Sequence, residues 1–143
     1  MSEPVTLLLL ALAGLGLANA LYFVLVSRRL IPPDPRWLPP VCRMDEATCA
    51  RVVDTPYARV FGVSNASLGV VWHLAVLAAG AMALATGIWP GCTLFLLVSL
   101  ATVLLAVYLI WALVVKLETL CPLCLLGHGV NATILVLLAL HCL

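Results

Sequence analysis

Long apolar runs dominate this chain, and its charged residues are confined to short segments between them. No Asp, Glu, Lys or Arg lies between Val60 and Val115 or after Glu118, and Asn19 is the main polar interruption of the first run, at 5–26. A helix needs about 20 mostly apolar residues to cross the hydrocarbon core of a bilayer. The pattern therefore predicts membrane-spanning helices.

The charge-free stretch at 60–115 is too long for one span and too short for three. The segment TGIWPG at 86–91 divides it, because Gly and Pro mark turns. We therefore predict an all-α membrane protein, a four-transmembrane-helix bundle with a long cysteine-bearing loop at 27–65. The spans are expected at 5–26, 66–86, 92–115 and 122–143, within one membrane-embedded domain covering residues 1–143.

Composition supports a membrane location. Of the 143 residues, 65% are hydrophobic and 9% charged, whereas about 25% of a soluble domain is charged. The first run lacks a basic start and a small-residue cleavage site, which favours a span over a signal peptide. We expect a multi-pass protein of the cell (inner or plasma) membrane, in contact with the lipid bilayer and without a nucleic-acid partner.

Four spans place four cysteines on one face of the membrane. Cys42 and Cys49 lie in the long loop, and Cys121 and Cys124 lie at the start of the fourth span. All seven Lys and Arg residues lie on this same face. The positive-inside rule therefore predicts that this face is cytoplasmic.

The CxxC motif Cys121-Pro-Leu-Cys124 carries the clearest chemical signal. Two thiols with two residues between them can form and break a disulfide at little conformational cost. Pro122 suits the first turn of a helix, which puts Cys121 at its N-cap. On that helix Cys121, Cys124, His128 and Asn131 share one face. We therefore predict electron exchange between thiols and a molecule in the lipid.

A second polar stripe starts the second span. Asn65, Gly69 and His73 follow i, i+4, i+8 spacing, with Trp72 beside them. Asn65 can donate a hydrogen bond at the bilayer edge, and Gly69 allows close approach of a ring or a helix. Ser64 and Asn65 equally fit a helix N-cap, which is compatible with a neighbouring pocket.

Two other interpretations remain open from the residues alone. One is a soft-metal (mercury or copper) carrier that uses cysteine pairs as ligands, although the six residues between Cys42 and Cys49 suit a loop disulfide better than a metal knuckle. The other is a non-catalytic membrane scaffold. We expect no metal, and we interpret Cys92 and Cys142, which do not fit the one-face pattern, as structural or incidental.

The order and spacing of these motifs resemble the vitamin K epoxide reductase family, as a prokaryotic single-domain member. The resemblance runs from the first loop cysteine to the fourth span, over the elements Cys42-x6-Cys49, CARVVDTPY at 49–57, Phe61-Gly62, Ser64-Asn65-x3-Gly69, Trp72, Val107-Tyr108-Leu109-x-Trp111 and Cys121-x-x-Cys124.

The resemblance implies a four-helix bundle around a quinone pocket, with a division of labour among cysteines. It implies that Cys124 is nearest the quinone and that Cys121 exchanges with the loop. Cys49 would take part in that exchange, and Cys42 would meet a thioredoxin-like protein dithiol. No thioredoxin-like domain follows the fourth span, so this partner is expected in trans.

The resemblance also implies quinone-binding residues. Asn65 matches the hydrogen-bond donor of the family, and His128 stands where the animal enzymes carry a tyrosine. The remaining members of the predicted set are Gly69, Trp72, His73 and Tyr108. The His128 departure favours a disulfide-generating quinone reductase using ubiquinone or menaquinone over a reductase of the vitamin K epoxide. Finally, the resemblance favours an extracytoplasmic active site, in conflict with the charge bias.

Overall fold

Four long helices form the protein. The structure is a computed structural model that describes residues 3–34, 36, 40 and 49–143, with only the backbone at 50 and 51. Each long helix is long and apolar enough to cross a membrane. The predicted four-helix membrane bundle is therefore confirmed. In chain order the helices are α1 (Glu3–Ser27), the short α2 (Cys49–Val53), α3 (Asn65–Thr86), α4 (Cys92–Trp111) and α5 (Pro122–Cys142).

The described end of the loop between α1 and α3 contains structure that the sequence pattern did not predict. After α2, a single 3-10 turn spans Pro56–Ala58, and strands β1 (Arg59–Val60) and β2 (Val63–Ser64) pair as an antiparallel hairpin. The two residues of its turn, Phe61 and Gly62, both have positive φ, +50° and +81°. A two-residue type I′ turn requires positive φ at both positions, and its twist matches that of the paired strands.

The hairpin leads directly into the N-terminus of α3. The Ser64 hydroxyl accepts a hydrogen bond from the backbone N–H of Ser67 at 3.5 Å, so Ser64 is the N-cap. This confirms the capping interpretation of Ser64. The capping residue also fixes where α3 begins, and therefore holds Asn65 in its first turn.

Glycine ends α3 where the predicted turn lies. Gly87 adopts φ +75°, and its N–H donates to the carbonyl of Ala83 at 2.8 Å. A residue in the left-handed region is a common end for a helix because it satisfies carbonyls that the helix leaves free. The chain then crosses to Cys92 and starts α4.

The end of α4 departs from a regular helix. Residues Ala112–Lys116 continue it as one π-helical turn. Such wide turns occur often at functional sites. At this end the ammonium of Lys116 lies 5.4 Å from the centroid of the Trp111 ring, as expected for an aromatic and cationic anchor at a membrane interface.

The main core lies where α1, α3 and α5 pack together. Leu9, Val76, Ile134 and Leu138 are fully buried there. α1 contacts both α3 and α5, whereas α4 packs mainly against α5. Between membrane helices such packing, rather than water exclusion, supplies much of the stabilisation. Helices α1, α3 and α5 are thus held close enough to enclose a site.

A second buried cluster lies at the end of the bundle where α5 begins. Val26, Leu113 and Leu123 surround Cys49 and Cys121 there. Apolar side chains from three long helices therefore enclose these two cysteines in a dry environment.

Candidate active site

A disulfide joins the loop to the last helix. Cys49, the first residue of α2, is bonded to Cys121, and their Cα atoms lie 4.9 Å apart. Both residues are buried, with exposed fractions of 1% and 0%. The bond spans 72 positions of sequence, so only the tertiary fold brings these two cysteines together.

Cys124 is a free thiol one turn further along α5. Cys121 is the N-cap of α5, with Pro122 in the first turn, which confirms the predicted helix start. The sulfur of Cys121 accepts a hydrogen bond from the backbone N–H of Cys124 at 3.3 Å. The N-cap geometry therefore keeps the backbone of Cys124 beside the bridged sulfur atom.

Cys124 lines a cavity of about 160 Å³ between the helices. A site needs roughly 10–15 Å³ of such space for one water molecule, so this cavity has room for a small ring. Its walls come from α1, α3, α5 and the end of α4, and its cover comes from α2 and the 3-10 turn. The cavity is therefore closed by the same segment that brings Cys49 to Cys121.

Four of the predicted quinone-binding residues line this cavity: Asn65, Gly69, His73 and His128. The two predicted stripes, on α3 and α5, therefore face the same space. Trp72 and Tyr108 do not line it. Trp72 is buried against Phe95, with ring centroids 5.8 Å apart.

Tyr108 is half exposed on the outer surface of α4. Its ring lies 6.5 Å from that of Tyr57, which does line the cavity, and 5.9 Å from that of Trp111. Tyr108 thus contacts a wall residue instead of the cavity itself.

The amide of Asn65 is oriented by the loop. Its Nδ2 donates to the carbonyl of Tyr57 at 2.8 Å, while its Oδ1 is buried and has no partner among the residues that the structure describes. An amide nitrogen carries two hydrogens, so one N–H is left for another acceptor. The 3-10 turn that carries Tyr57 therefore orients the side chain of Asn65.

His73 is deeply buried and packs against α1. Its Nδ1 lies 2.7 Å from the carbonyl oxygen of Gly69. Because a carbonyl only accepts, Nδ1 carries the hydrogen. The imidazole occupies the space where a Cβ on Gly16 would stand. Gly16 therefore allows α1 to approach α3 at the level of His73.

Asn19 is a cavity residue that the sequence reasoning missed. Its Nδ2 donates to the backbone carbonyl of Leu123, within the CxxC motif, at 3.1 Å. A Cβ on Gly127 would lie 2.9 Å from the same nitrogen. The sequence did contain a signal for Asn19, which is its amide in an otherwise apolar span. A polar residue inside a membrane helix usually has a partner or a function.

The remaining cysteines lie elsewhere. Cys92 and Cys142 are bonded to each other, with Cα atoms 5.7 Å apart, and join the start of α4 to the end of α5. They are therefore at the opposite end of the bundle from Cys124. Cys42 lies outside the described residues. Among the residues that are described, no group of three or more His, Cys, Asp or Glu side chains is arranged to hold a metal ion.

Comparison with known families identifies a match over nearly the whole chain. The model of the Vitamin K epoxide reductase family matches residues 7–139, which is nearly the whole chain. The matched range contains the loop, the CxxC motif and every cavity-lining residue. A comparison with curated proteins finds no match.

Proposed function

Because the chain belongs to the vitamin K epoxide reductase family, and is therefore a membrane oxidoreductase, we propose that it generates disulfide bonds by passing electrons to a membrane quinone. The electrons come from a thioredoxin-like protein dithiol, and ubiquinone or menaquinone is the acceptor. Residues 1–143 act as one membrane-embedded domain.

The observation that carries this proposal is the arrangement of three cysteines at one cavity. A buried Cys49–Cys121 disulfide adjoins the free thiol of Cys124, and only Cys124 of the three lines the cavity. A chain with this arrangement can exchange disulfides on the loop side and deliver electrons on the cavity side.

The exchange steps follow thiol chemistry. The partner dithiol reduces a Cys42–Cys49 disulfide to two thiols and is itself oxidised to a disulfide. The thiolate of Cys49 then attacks the sulfur of Cys121 in a Cys121–Cys124 disulfide. The Cys49–Cys121 bond forms, and Cys124 leaves as a thiolate. The bonded and free cysteines of the structure correspond to the product of this step.

Completion of the cycle returns both cysteine pairs to their starting states. Cys42 attacks Cys49 and releases Cys121 as a thiol, so that α5 carries two thiols. Their oxidation to the Cys121–Cys124 disulfide releases two electrons and two protons. When a quinone is bound in the cavity, it accepts both and leaves as the hydroquinone.

The cavity fits a quinone in size and in polar groups. Asn65 keeps one N–H available, and we propose that it and His128 donate to the carbonyl oxygens. Gly69 has no side chain to obstruct a ring, and His73 lies on the same wall. Tyr108 remains in the proposed quinone-binding set because its ring contacts Tyr57, which lines the cavity. Trp72 remains in the set as the neighbour of His73 in sequence.

Membrane orientation is a separate part of the proposal. We propose that the Cys124 end of the bundle faces away from the cytoplasm, as the family resemblance implies. All seven Lys and Arg residues lie on that side, which the positive-inside rule assigns to the cytoplasm. A reporter enzyme that is active only outside the cytoplasm, fused after Leu143, tests the orientation. Leu143 lies at the opposite end of the bundle from Cys124, so an active reporter there would overturn the proposed orientation.

The deciding experiment is quinone reduction by the purified chain with a reduced protein dithiol as donor. We expect Cys124→Ala to abolish turnover, and Cys49→Ala to abolish it with the protein donor. Ser99→Ala, on α4 and outside the cavity, serves as the matched control and should keep full activity. No turnover by the wild-type chain with ubiquinone or menaquinone analogues would overturn the proposed function.

A further inference from the structure

Four buried polar atoms around the cavity have no hydrogen-bond partner within the described residues. They are Oδ1 of Asn19, Oδ1 of Asn65, Nε2 of His73 and Oδ1 of Asn131. A buried polar atom without a partner is costly, and more so where the surroundings are apolar. Several such atoms around one cavity indicate that a ligand supplies their partners.

Asn19 presents an acceptor to the cavity. Its Nδ2 donates to the carbonyl oxygen of Leu123. If the amide nitrogen and oxygen were exchanged, the amide oxygen would face the carbonyl oxygen, and both atoms are acceptors. The hydrogen bond therefore assigns the nitrogen and oxygen positions of the amide. Oδ1, the unpartnered atom, is therefore a hydrogen-bond acceptor.

His73 presents a second acceptor for the same reason. Its Nδ1 carries the hydrogen because it bonds the carbonyl of Gly69. In a neutral imidazole the other ring nitrogen then has a lone pair and no hydrogen. Nε2 of this residue, which is only 3% exposed, therefore accepts.

Both acceptors belong to residues that line the same cavity as Cys124. His73 follows Asn65 by two helical turns, or about 12 Å along α3. Its ring packs against Gly16, which is one turn from Asn19 on α1. Asn19 itself lies beside the CxxC backbone, since its amide bonds the carbonyl of Leu123.

The chemistry of the ligand follows from these unpartnered acceptors. An oxidised quinone has carbonyl oxygens that only accept hydrogen bonds, whereas a hydroquinone has two hydroxyl groups that donate. We infer that Asn19 and His73 accept hydrogen bonds from the hydroxyl groups of the reduced quinone, so that the cavity holds the hydroquinone more tightly than the quinone. The inference rests on the proposed function and adds Asn19 to its binding residues.

Such a preference would assist electron transfer. A site that binds the reduced form more tightly raises the reduction potential of the bound couple, by about 30 mV for each tenfold difference in affinity for two electrons. Electrons would then pass more favourably from the α5 dithiol to the bound acceptor. Binding energy at the two acceptors would thereby contribute to the direction of the reaction.

The test compares affinities instead of turnover. Duroquinone and durohydroquinone are titrated anaerobically into the full chain in detergent, in a Cys124→Ser background that prevents reaction. We expect the hydroquinone to bind about tenfold more tightly than the quinone, as the net value of one to two hydrogen bonds implies. Asn19→Leu should weaken hydroquinone binding about fivefold and leave quinone binding unchanged.

Two further variants secure the result. His73→Leu should reduce the preference as Asn19→Leu does, and thermal unfolding establishes that each variant is folded. Ser99→Ala is the matched control, because Ser99 also has a buried, unpartnered oxygen but does not line the cavity. It should leave both affinities unchanged.

Equal affinities for quinone and hydroquinone in the Cys124→Ser background would overturn the inference and leave the proposed function intact. The same conclusion would follow if Asn19→Leu and His73→Leu weakened the binding of both forms equally. Failure of both forms to bind would overturn the inference and the proposed quinone site together.

Discussion

The side-chain amide of Asn19 donates to the backbone carbonyl of Leu123 at 3.1 Å, and so joins the first membrane helix to the backbone between the two cysteines of the CxxC motif. The same nitrogen lies close to the Cα of Gly127, where a Cβ would stand 2.9 Å away. The position of the CxxC motif is therefore coupled to the packing of α1 on α5.

The first prediction tests this contact. Gly127→Ala should push the Asn19 side chain from Leu123 and lower the unfolding free energy by about 1–3 kcal/mol, the usual cost of overpacking. Quinone reduction should fall as well, because the Cys124 turn loses a support. Thermal unfolding in detergent, together with turnover, measures both effects.

Gly129→Ala is the matched control for that substitution. A Cβ on Gly129 meets nothing within 4 Å, so alanine there should be neutral or add roughly 0.5–1 kcal/mol through helix propensity. An equal effect of the two substitutions would contradict the coupling.

The second prediction concerns the close approach of α1 and α3. A Cβ on Gly16 would overlap the imidazole of His73, so Gly16→Ala should displace this ring and cost about 1–3 kcal/mol of stability. Gly14→Ala, where a Cβ meets nothing within 4 Å, should cost far less. Chemical or thermal unfolding compares the two variants.

A double-mutant cycle isolates the cause. In a His73→Ala background, the penalty of Gly16→Ala should largely vanish, because the atoms that it meets are gone. A penalty that stays the same in both backgrounds would show that the Gly16 effect does not arise from His73.

The third prediction concerns the bonding of Cys121. In Cys124→Ser, Cys121 has no second thiol in its own motif with which to form a disulfide. Peptide mapping of the unreduced protein should therefore recover the Cys49–Cys121 pair. In a Cys49→Ser/Cys124→Ser chain, Cys121 should react with a thiol label once the protein is unfolded. Recovery of Cys121 as a free thiol in Cys124→Ser would contradict the observed pairing.

The fourth prediction separates the disulfide at the other end of the bundle from catalysis. Cys92–Cys142 closes 50 positions of sequence, and a disulfide over such a loop typically stabilises a protein by about 2–4 kcal/mol. Cys92→Ser/Cys142→Ser should therefore unfold at lower temperature.

At temperatures where this variant stays folded, its quinone reduction should match that of the wild-type chain, because both cysteines lie outside the cavity lining. Loss of turnover without loss of stability would instead assign this second pair a part in electron transfer.

Several features of the site could be predicted from sequence because they depend on neighbouring residues. The N-cap position of Cys121 follows from Pro122, and the common orientation of Asn65, Gly69 and His73 follows from helical periodicity. Two residues predicted to bind the quinone, Trp72 and Tyr108, do not line the cavity. Both are aromatic residues among apolar neighbours, so the sequence carries little signal for which side of the helix each one faces.

The structure of the loop could likewise not be predicted from its sequence. The hairpin turn at Phe61 and Gly62 needs positive φ at both residues, and a phenylalanine gives little local indication of that conformation. Likewise, the π-helical turn at Ala112–Lys116 has an ordinary apolar sequence. Both features arise where the chain must reconnect packed helices.

The sequence by itself determined the four helices, their ends and the presence of a dithiol at the start of the last one. In lipid each span must satisfy its own backbone hydrogen bonds, so apolar length and turn residues are sufficient to define it. Only the tertiary structure decided the pairs Cys49–Cys121 and Cys92–Cys142, and the position of Asn19 at the cavity. Those contacts depend on how each helix rotates and packs against its neighbours, and side chains facing lipid and side chains facing the core are equally apolar.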